Sequence, residues 1–140
     1  MTIAASLDHV KKRVDDYLWR AKAKPMQRLR GVLCEEYSKF ENVAIIGGLV
    51  RDFAHFGRRG FSSDVDLVIA VDPVELDDFA IKIGATRNRF GGFGLTTEAW
   101  KIDFWALENT WTHKQGHVEL RELADITKST FFTCDAIAYN

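Results

Sequence analysis

Two aspartates one residue apart, Asp64 and Asp66, stand at the start of an apolar run through Leu67, Val68, Ile69 and Val71. Residues i and i+2 of a strand point to the same face. The two carboxylates are therefore expected to project side by side, with the apolar strand behind them fixing their direction. Carboxylates that close repel unless a cation sits between them. A pair of Mg²⁺ ions, or Mn²⁺ in their place, is the economical reason to build such a pair, because these ions favour oxygen ligands. Further along, alternation in residues 99–105 places Lys101, Asp103 and Trp105 on one face of another strand, and Trp100, Ile102 and Phe104 on the other. An acid inside an apolar strand either belongs to a site or lies on the outward face of a one-sided sheet. Lys101 could neutralise a phosphate there, and Trp105 could stack on a base or fill core.

The elements that must position these groups lie on both sides of the acidic pair. Residues 43–46 form a short apolar run that stops at Gly47-Gly48. Helical spacing follows, with Leu49, Val50, Phe53 and Phe56 apolar and Arg51, Asp52 and His55 polar. A Gly/Arg/Ser loop, residues 57–63, then leads to Asp64. The glycine pair lets backbone come close to a phosphate, since a Cβ would obstruct the approach. Arg51, Arg58 or Arg59 could compensate phosphate charge, Arg51 having a competing structural role as the partner of Asp52 or of another helix-side acid.

Taken together, Gly47-Gly48-Leu49-Val50-Arg51-Asp52 and Ser63-Asp64-Val65-Asp66-Leu67 resemble the head domain of the CCA-adding enzyme and bacterial poly(A) polymerase group, within the nucleotidyltransferase superfamily. The pattern of that group is a GGxxRD turn followed by DxD, and the compound motif is more specific than either half. The resemblance covers residues 43–71 and extends more loosely to Tyr139. It implies an α+β (mixed α/β) domain of nucleotidyltransferase, polymerase-β-like fold: a small mixed β-sheet with helices packed on it. It also implies that the Gly47-Gly48 turn lies against a nucleoside triphosphate and that Asp64 and Asp66 hold Mg²⁺; Arg51, Ser63 and Lys101 are further candidates for that nucleotide-binding site. A third carboxylate from a neighbouring strand is expected to complete the catalytic and metal site, and Asp103 has the right setting. The segment 131–139 resembles the group's RRDFTINALAY, but Ser129, Thr130 and Phe131 stand at the Arg-Arg-Asp positions and Asp135 at the Asn. No residue of that segment is carried over. The group selects its base and holds RNA with neck, body and tail domains beyond the head. The expectation is therefore either a stand-alone small nucleotidyltransferase or a piece of something longer.

The rest of the chain supplies the scaffold. Ile3, Leu7, Val10, Val14, Tyr17 and Leu18 recur at helical steps, predicting an amphipathic helix over residues 3–21. Pro25 suits the first turn of a second helix, with Met26, Leu29, Val32, Leu33, Tyr37 and Phe40 as its apolar stripe. These two helices, an N-terminal segment of residues 1–41, could pack on the back of the sheet or form a partner-binding appendage to a core of residues 42–140. Asp72 and Pro73 read as the cap and first position of a helix over 74–83 that Gly84 ends. Residues 85–90 read as a strand, 91–94 (GGFG) as a hairpin turn, and 95–98 and 99–107 as further strands. A glycine-rich phosphate cradle is the lesser reading of GGFG, because no helix start follows it. Residues 111–117 look loop-like, with Gly116 spoiling a His113/His117 metal pair, and 119–126 have helical spacing.

At 140 residues the chain is expected to be one domain with a proper core. No apolar run approaches a bilayer span, and Cys34 and Cys134 lack metal-ligand spacing, so free thiols in a cytoplasmic setting are the default. A net charge of −1 argues against a surface that grips nucleic acid all over. Residues 1–30, however, hold eight Lys/Arg against three Asp. That basic arm could face RNA or a protein acceptor, or could be a solvated helix face. Three functions follow: a metal-dependent enzyme moving an NMP from an NTP to an acceptor hydroxyl, a non-catalytic NTP-binding sensor of the same fold, and an RNA-interacting accessory domain.

Overall fold

The computed structural model describes residues 3–57, 64–129 and 138–139. Strands β1 (Val43–Ile46), β2 (Val65–Ile69), β3 (Thr86–Arg87), β4 (Phe93–Thr96), β5 (Lys101–Ala106) and β6 (Ala138–Tyr139) form one mixed sheet in the order β3-β4-β5-β2-β1-β6. Among the described residues only β2 and β5 run parallel; each other neighbouring pair is antiparallel. The parallel pair needs a crossover, and helix α4 (Pro73–Ile83) with the β3–β4 hairpin supplies it. The chain is thus mixed α/β, as expected.

Alternation divides β2 and β5 between two environments. Val65, Leu67 and Ile69 of β2, with Ile102 and Phe104 of β5, are fully buried on one face. Helices α1 (Leu7–Asp15), α2 (Lys24–Val32), α3 (Gly48–Phe56) and α4 cover that face and share its core. Tyr37, Phe79 and Phe104 meet edge-on or tilted within it, with ring centroids 5.4–5.9 Å apart. On the other face Val68 packs with Leu107, Leu120 and Ile126 in a smaller cluster. The remainder of that face carries the acids.

The N-terminal helices therefore pack on the sheet. Val14, Leu18 and Leu29 are completely buried; truncating either leucine to Ala would cost about 2–5 kcal/mol. The first helix is shorter than its periodicity predicts. It begins at Leu7 because Ser6 caps it, the Ser6 hydroxyl accepting from the His9 N–H at 3.2 Å. Ile3 and Leu7 consequently stand in solvent, at 66% and 73% exposure, rather than in the stripe. Both α1 and α2 continue into a wider π-helical turn, Asp16–Arg20 and Leu33–Tyr37. Arg30 donates to the carbonyls of Leu18 and Ala21, at 2.6 and 3.0 Å, and so answers the open end of the first.

Other boundaries also differ from expectation. The strand predicted over 85–90 is only Thr86–Arg87, and the hairpin turn lies at 88–92 rather than 91–94. Asn88 sets this turn: its side-chain oxygen accepts from the N–H groups of Phe90 and Gly92, both at 3.0 Å. Phe93 and Gly94 belong instead to β4, where Phe93 stacks on Phe104 at 5.5 Å. Residues 97–100 form a turn, Thr97 N–H donating to the Trp100 carbonyl, so the strands predicted over 95–98 and 99–107 shorten to β4 and β5. Trp111–Lys114 is a single helical turn, α5, where a loop is expected. Leu123–Ser129 winds as a 3₁₀ helix, replacing the helix predicted over 119–126. Phe56, placed in the apolar stripe of α3, is 58% exposed.

Candidate active site

Gly47 is the hinge between β1 and α3. It takes φ 70° and ψ −137°, a conformation open to glycine and strained for other residues. The chain turns there directly from strand to helix, and Arg51 N–H already bonds the Gly47 carbonyl at 3.1 Å. A Cβ on Gly47 would lie 3.2 Å from Asp66 Oδ2. The N-terminus of α3, which has no side-chain cap, is therefore set beside the Asp66 carboxylate. Unanswered N–H groups and the positive end of a helix dipole favour phosphate at such a place.

Asp66 and Asp103 are register partners across the parallel β2–β5 pair, and Ile46 is the partner of Asp66 on its other side. Asp64 precedes the first residue of β2 and is exposed. The three acids of the sequence pattern thus meet at one end of the central strands. Burial, then the charges of Asp103 and Asp64, push the Asp66 carboxyl up to about 7, with Lys101 opposing.

Asp103 needs room, and β4 provides it. Gly94 is the register partner of Asp103, and a Cβ on Gly94 would come within 2.9 Å of Asp103 Oδ1. Gly92 likewise lies under Trp105, where a Cβ would collide with the indole at 2.2 Å. Gly92, which closes the hairpin turn, and Gly94, which lies in β4, clear a shelf for the polar side of β5. Sequence reasoning missed this, although the Gly-x-Gly spacing matches the two-residue spacing of Asp103 and Trp105 and was the available signal.

Lys101 lies among the acids. Its ammonium is 3.3 Å from Asp103 Oδ2 and 3.6 Å from Asp64 Oδ2, and these partners, Asp103 foremost, raise its pKa. Arg51 Nε bonds Asp52 Oδ1 at 2.9 Å, and Asp52 is buried, so the structural role foreseen for Arg51 is present. Ser63, Arg58 and Arg59 lie outside the described residues, as do Phe131, Cys134 and Asp135. His113 Nδ1 accepts from the Leu120 N–H at 3.1 Å, a structural use.

The donor set suits a hard divalent cation, because every candidate ligand is a carboxylate oxygen; burial first, and then the charges of Asp103 and Asp64, disfavour the ionised form of Asp66, with Lys101 opposing. Among the described residues, no group of three His, Cys, Asp or Glu is placed to hold a metal ion; an ammonium lies between two of the acids instead. The Lys101 side chain is 51% exposed, so it can turn to solvent, whereas that of Asp103 is 16% exposed and stays. The candidate donor atoms, all carboxylate oxygens, are of the kind that Mg²⁺ or Mn²⁺ takes.

The basic residues of the N-terminal segment are largely engaged. Arg13 donates to the Phe53 and Ala54 carbonyls at the end of α3, at 3.0 and 3.1 Å, and Arg30 serves the first helix. Lys11 pairs with Asp15, Arg20 with Asp16 and Arg28 with Glu98. No helix among the described residues is long and apolar enough to cross a membrane.

No protein-family model matches the chain, and no curated protein does. Among solved structures it is similar to a tRNA nucleotidyltransferase crystallised with a primer tRNA and an incoming ATP analog. The match has 27% identity and a TM-score of 0.45, and it covers 69% of this chain. The chain spans 27% of that protein's length.

Proposed function

We propose that the chain is a metal-dependent nucleotidyltransferase that moves a nucleoside monophosphate from an NTP to an acceptor hydroxyl and releases pyrophosphate. The observation that carries this reading is the meeting of Asp66 and Asp103 in register, with Asp64 alongside, at the N-terminus of α3. A cation site and an anion site then adjoin, as a metal-bound triphosphate requires. Asp64 and Asp66 hold Mg²⁺ or Mn²⁺, and Asp103 completes the set. When bound, the metal neutralises the triphosphate and lowers the pKa of the acceptor hydroxyl. The first amides of α3 and the bare backbone of Gly47 and Gly48 receive phosphate oxygens. Asp103 takes the acceptor's proton as its oxygen bonds the α-phosphorus and the bond to pyrophosphate breaks. The test is pyrophosphate release from each NTP with Mg²⁺ and a range of acceptors. Release that is lost in Asp66→Asn supports the reading; no release from any combination overturns it.

A non-catalytic NTP sensor is the second reading, favoured by Lys101. An ammonium bridging Asp64 and Asp103 leaves those acids paired without metal. Nucleotide binding without turnover would select it. The N-terminal helices offer less for an RNA-accessory role, because most of their cations already serve backbone carbonyls or nearby acids.

A further inference from the structure

Lys101 makes contacts that a phosphate-binding lysine would not need at rest. It starts β5 two residues before Asp103, and alternation puts both on the same face. Its ammonium reaches back to Asp103 Oδ2 and across to Asp64 Oδ2, so a single cation spans the first residue of the DxD pattern and the acid of the neighbouring strand. Asp66, two residues after Asp64 and in register with Asp103, takes no ion pair with a lysine or arginine among the described residues. We propose that Lys101 is a resident competitor for the metal: its ammonium holds Asp64 and Asp103 until a divalent cation displaces it, and the displaced side chain then turns to the triphosphate.

The proposal rests on the metal reading above and deepens it. Two of the three oxygen-bearing ligands are held by a monovalent cation on a flexible four-carbon stem. A divalent ion that takes them must first break both ion pairs. Lys101 is half-exposed in both pairs and Asp64 in one, whereas Asp103 is only 16% exposed, so the Asp64 pair is the weaker and the first to give way. Freed, the ammonium stays tethered within reach of a nucleotide on the same metal. Metal and triphosphate binding are then linked through one side chain: without the metal, Lys101 is occupied; with it, Lys101 is available. Reciprocity requires that NTP in turn strengthen metal binding.

The experiment measures Mn²⁺ binding alone, by the loss of the free-ion paramagnetic signal, in wild type, Lys101→Met and Lys101→Thr. Thr is included because a β-branched residue suits the strand. Lys82→Met, on the last turn of α4, controls for loss of one positive charge. Mn²⁺ should bind about 3- to 10-fold tighter in both Lys101 variants, the gain expected from removing two partly exposed ion pairs, and unchanged in Lys82→Met. Affinity for the Mn²⁺–NTP complex should fall in the Lys101 variants. Unchanged or weaker Mn²⁺ binding in the Lys101 variants, with wild type binding normally, overturns the competitor role and leaves the proposed function standing. An equal gain in Lys82→Met reduces the effect to net charge and also overturns it. Absence of Mn²⁺ binding in every protein overturns both.

Discussion

Asp66 and Asp103 stand opposite each other on the only parallel strand pair of the described sheet. In an antiparallel sheet a strand returning by a tight hairpin could bring its own acids together locally. Here the partners are 37 residues apart in sequence, and the α4 crossover sets their register. The cost of the arrangement falls on Asp66, whose carboxyl is pushed up to about 7 by burial and by its two acidic neighbours.

That shift has a sign. The folded pKa of Asp66 lies above its ordinary value of 3.8, so between about pH 4 and pH 7 the native state holds a proton that the unfolded chain has released. The stabilising contribution is complete below about 4 and is lost as pH rises through about 7. In metal-free solution, wild type should therefore lose stability relative to Asp66→Asn across that window. Denaturant unfolding of both proteins at a series of pH values reads the difference. Saturating Mg²⁺ should shrink it, since the metal supplies the missing counter-charge. A pH-independent difference would refute the assignment.

Gly47→Ala tests the hinge. The substitution meets a strained backbone conformation and a carboxylate 3.2 Å away. A loss of about 1–3 kcal/mol is expected from the backbone alone, seen as a lower Tm, together with weaker NTP binding. Full stability in Gly47→Ala would mean that the turn relaxes freely.

What the sequence revealed and what it hid divide along a physical line. The Gly47-Gly48 turn, the β2 strand and the Asp72–Gly84 helix were legible because local chemistry specifies each. Gly47 and Gly84 take positive φ, Asp72 accepts from Val74 N–H at 2.8 Å, and Pro73 starts the helix. Asp103 was legible as an acid in an apolar strand. β6 was not, because Ala138 and Tyr139 form a two-residue strand fixed by distant partners: pairing with β1, and the Tyr139 hydroxyl's bonds to Asp15 and Trp19. The π-helical turns and the exposure of Ile3, Leu7 and Phe56 likewise depend on tertiary surroundings that periodicity does not contain. The same holds for Lys101: its face could be read from alternation, but its two carboxylate partners come from the β2–β5 pairing.

Gly94→Ala asks whether β4 serves the site through its shape. The new methyl would lie 2.9 Å from Asp103 Oδ1, and the short Asp side chain has to rotate to avoid it. Ala is a better strand residue than Gly by up to about 1 kcal/mol, so the fold should hold or tighten while turnover drops by about tenfold. Pyrophosphate release beside thermal unfolding separates the two effects. Undiminished turnover would show that the Asp103 carboxylate works from either rotamer.

Asp103→Asn separates chemistry from binding. Asn keeps the shape of the side chain over Gly94 and removes its charge. On the proposed reading Asp64 and Asp66 still hold the metal–triphosphate, whereas Asp103 serves the acceptor side. NTP affinity should therefore change little, while turnover falls by about 10²-fold or more, the size of a lost general base. Lys101 would keep one partner, Asp64, so the strand itself should remain in place. Both quantities are to be measured on one preparation, by equilibrium NTP binding and by pyrophosphate release. Equal loss of the two would move Asp103 into the triphosphate site. Unchanged turnover would remove it from the reaction and leave its register with Asp66 a matter of electrostatics alone.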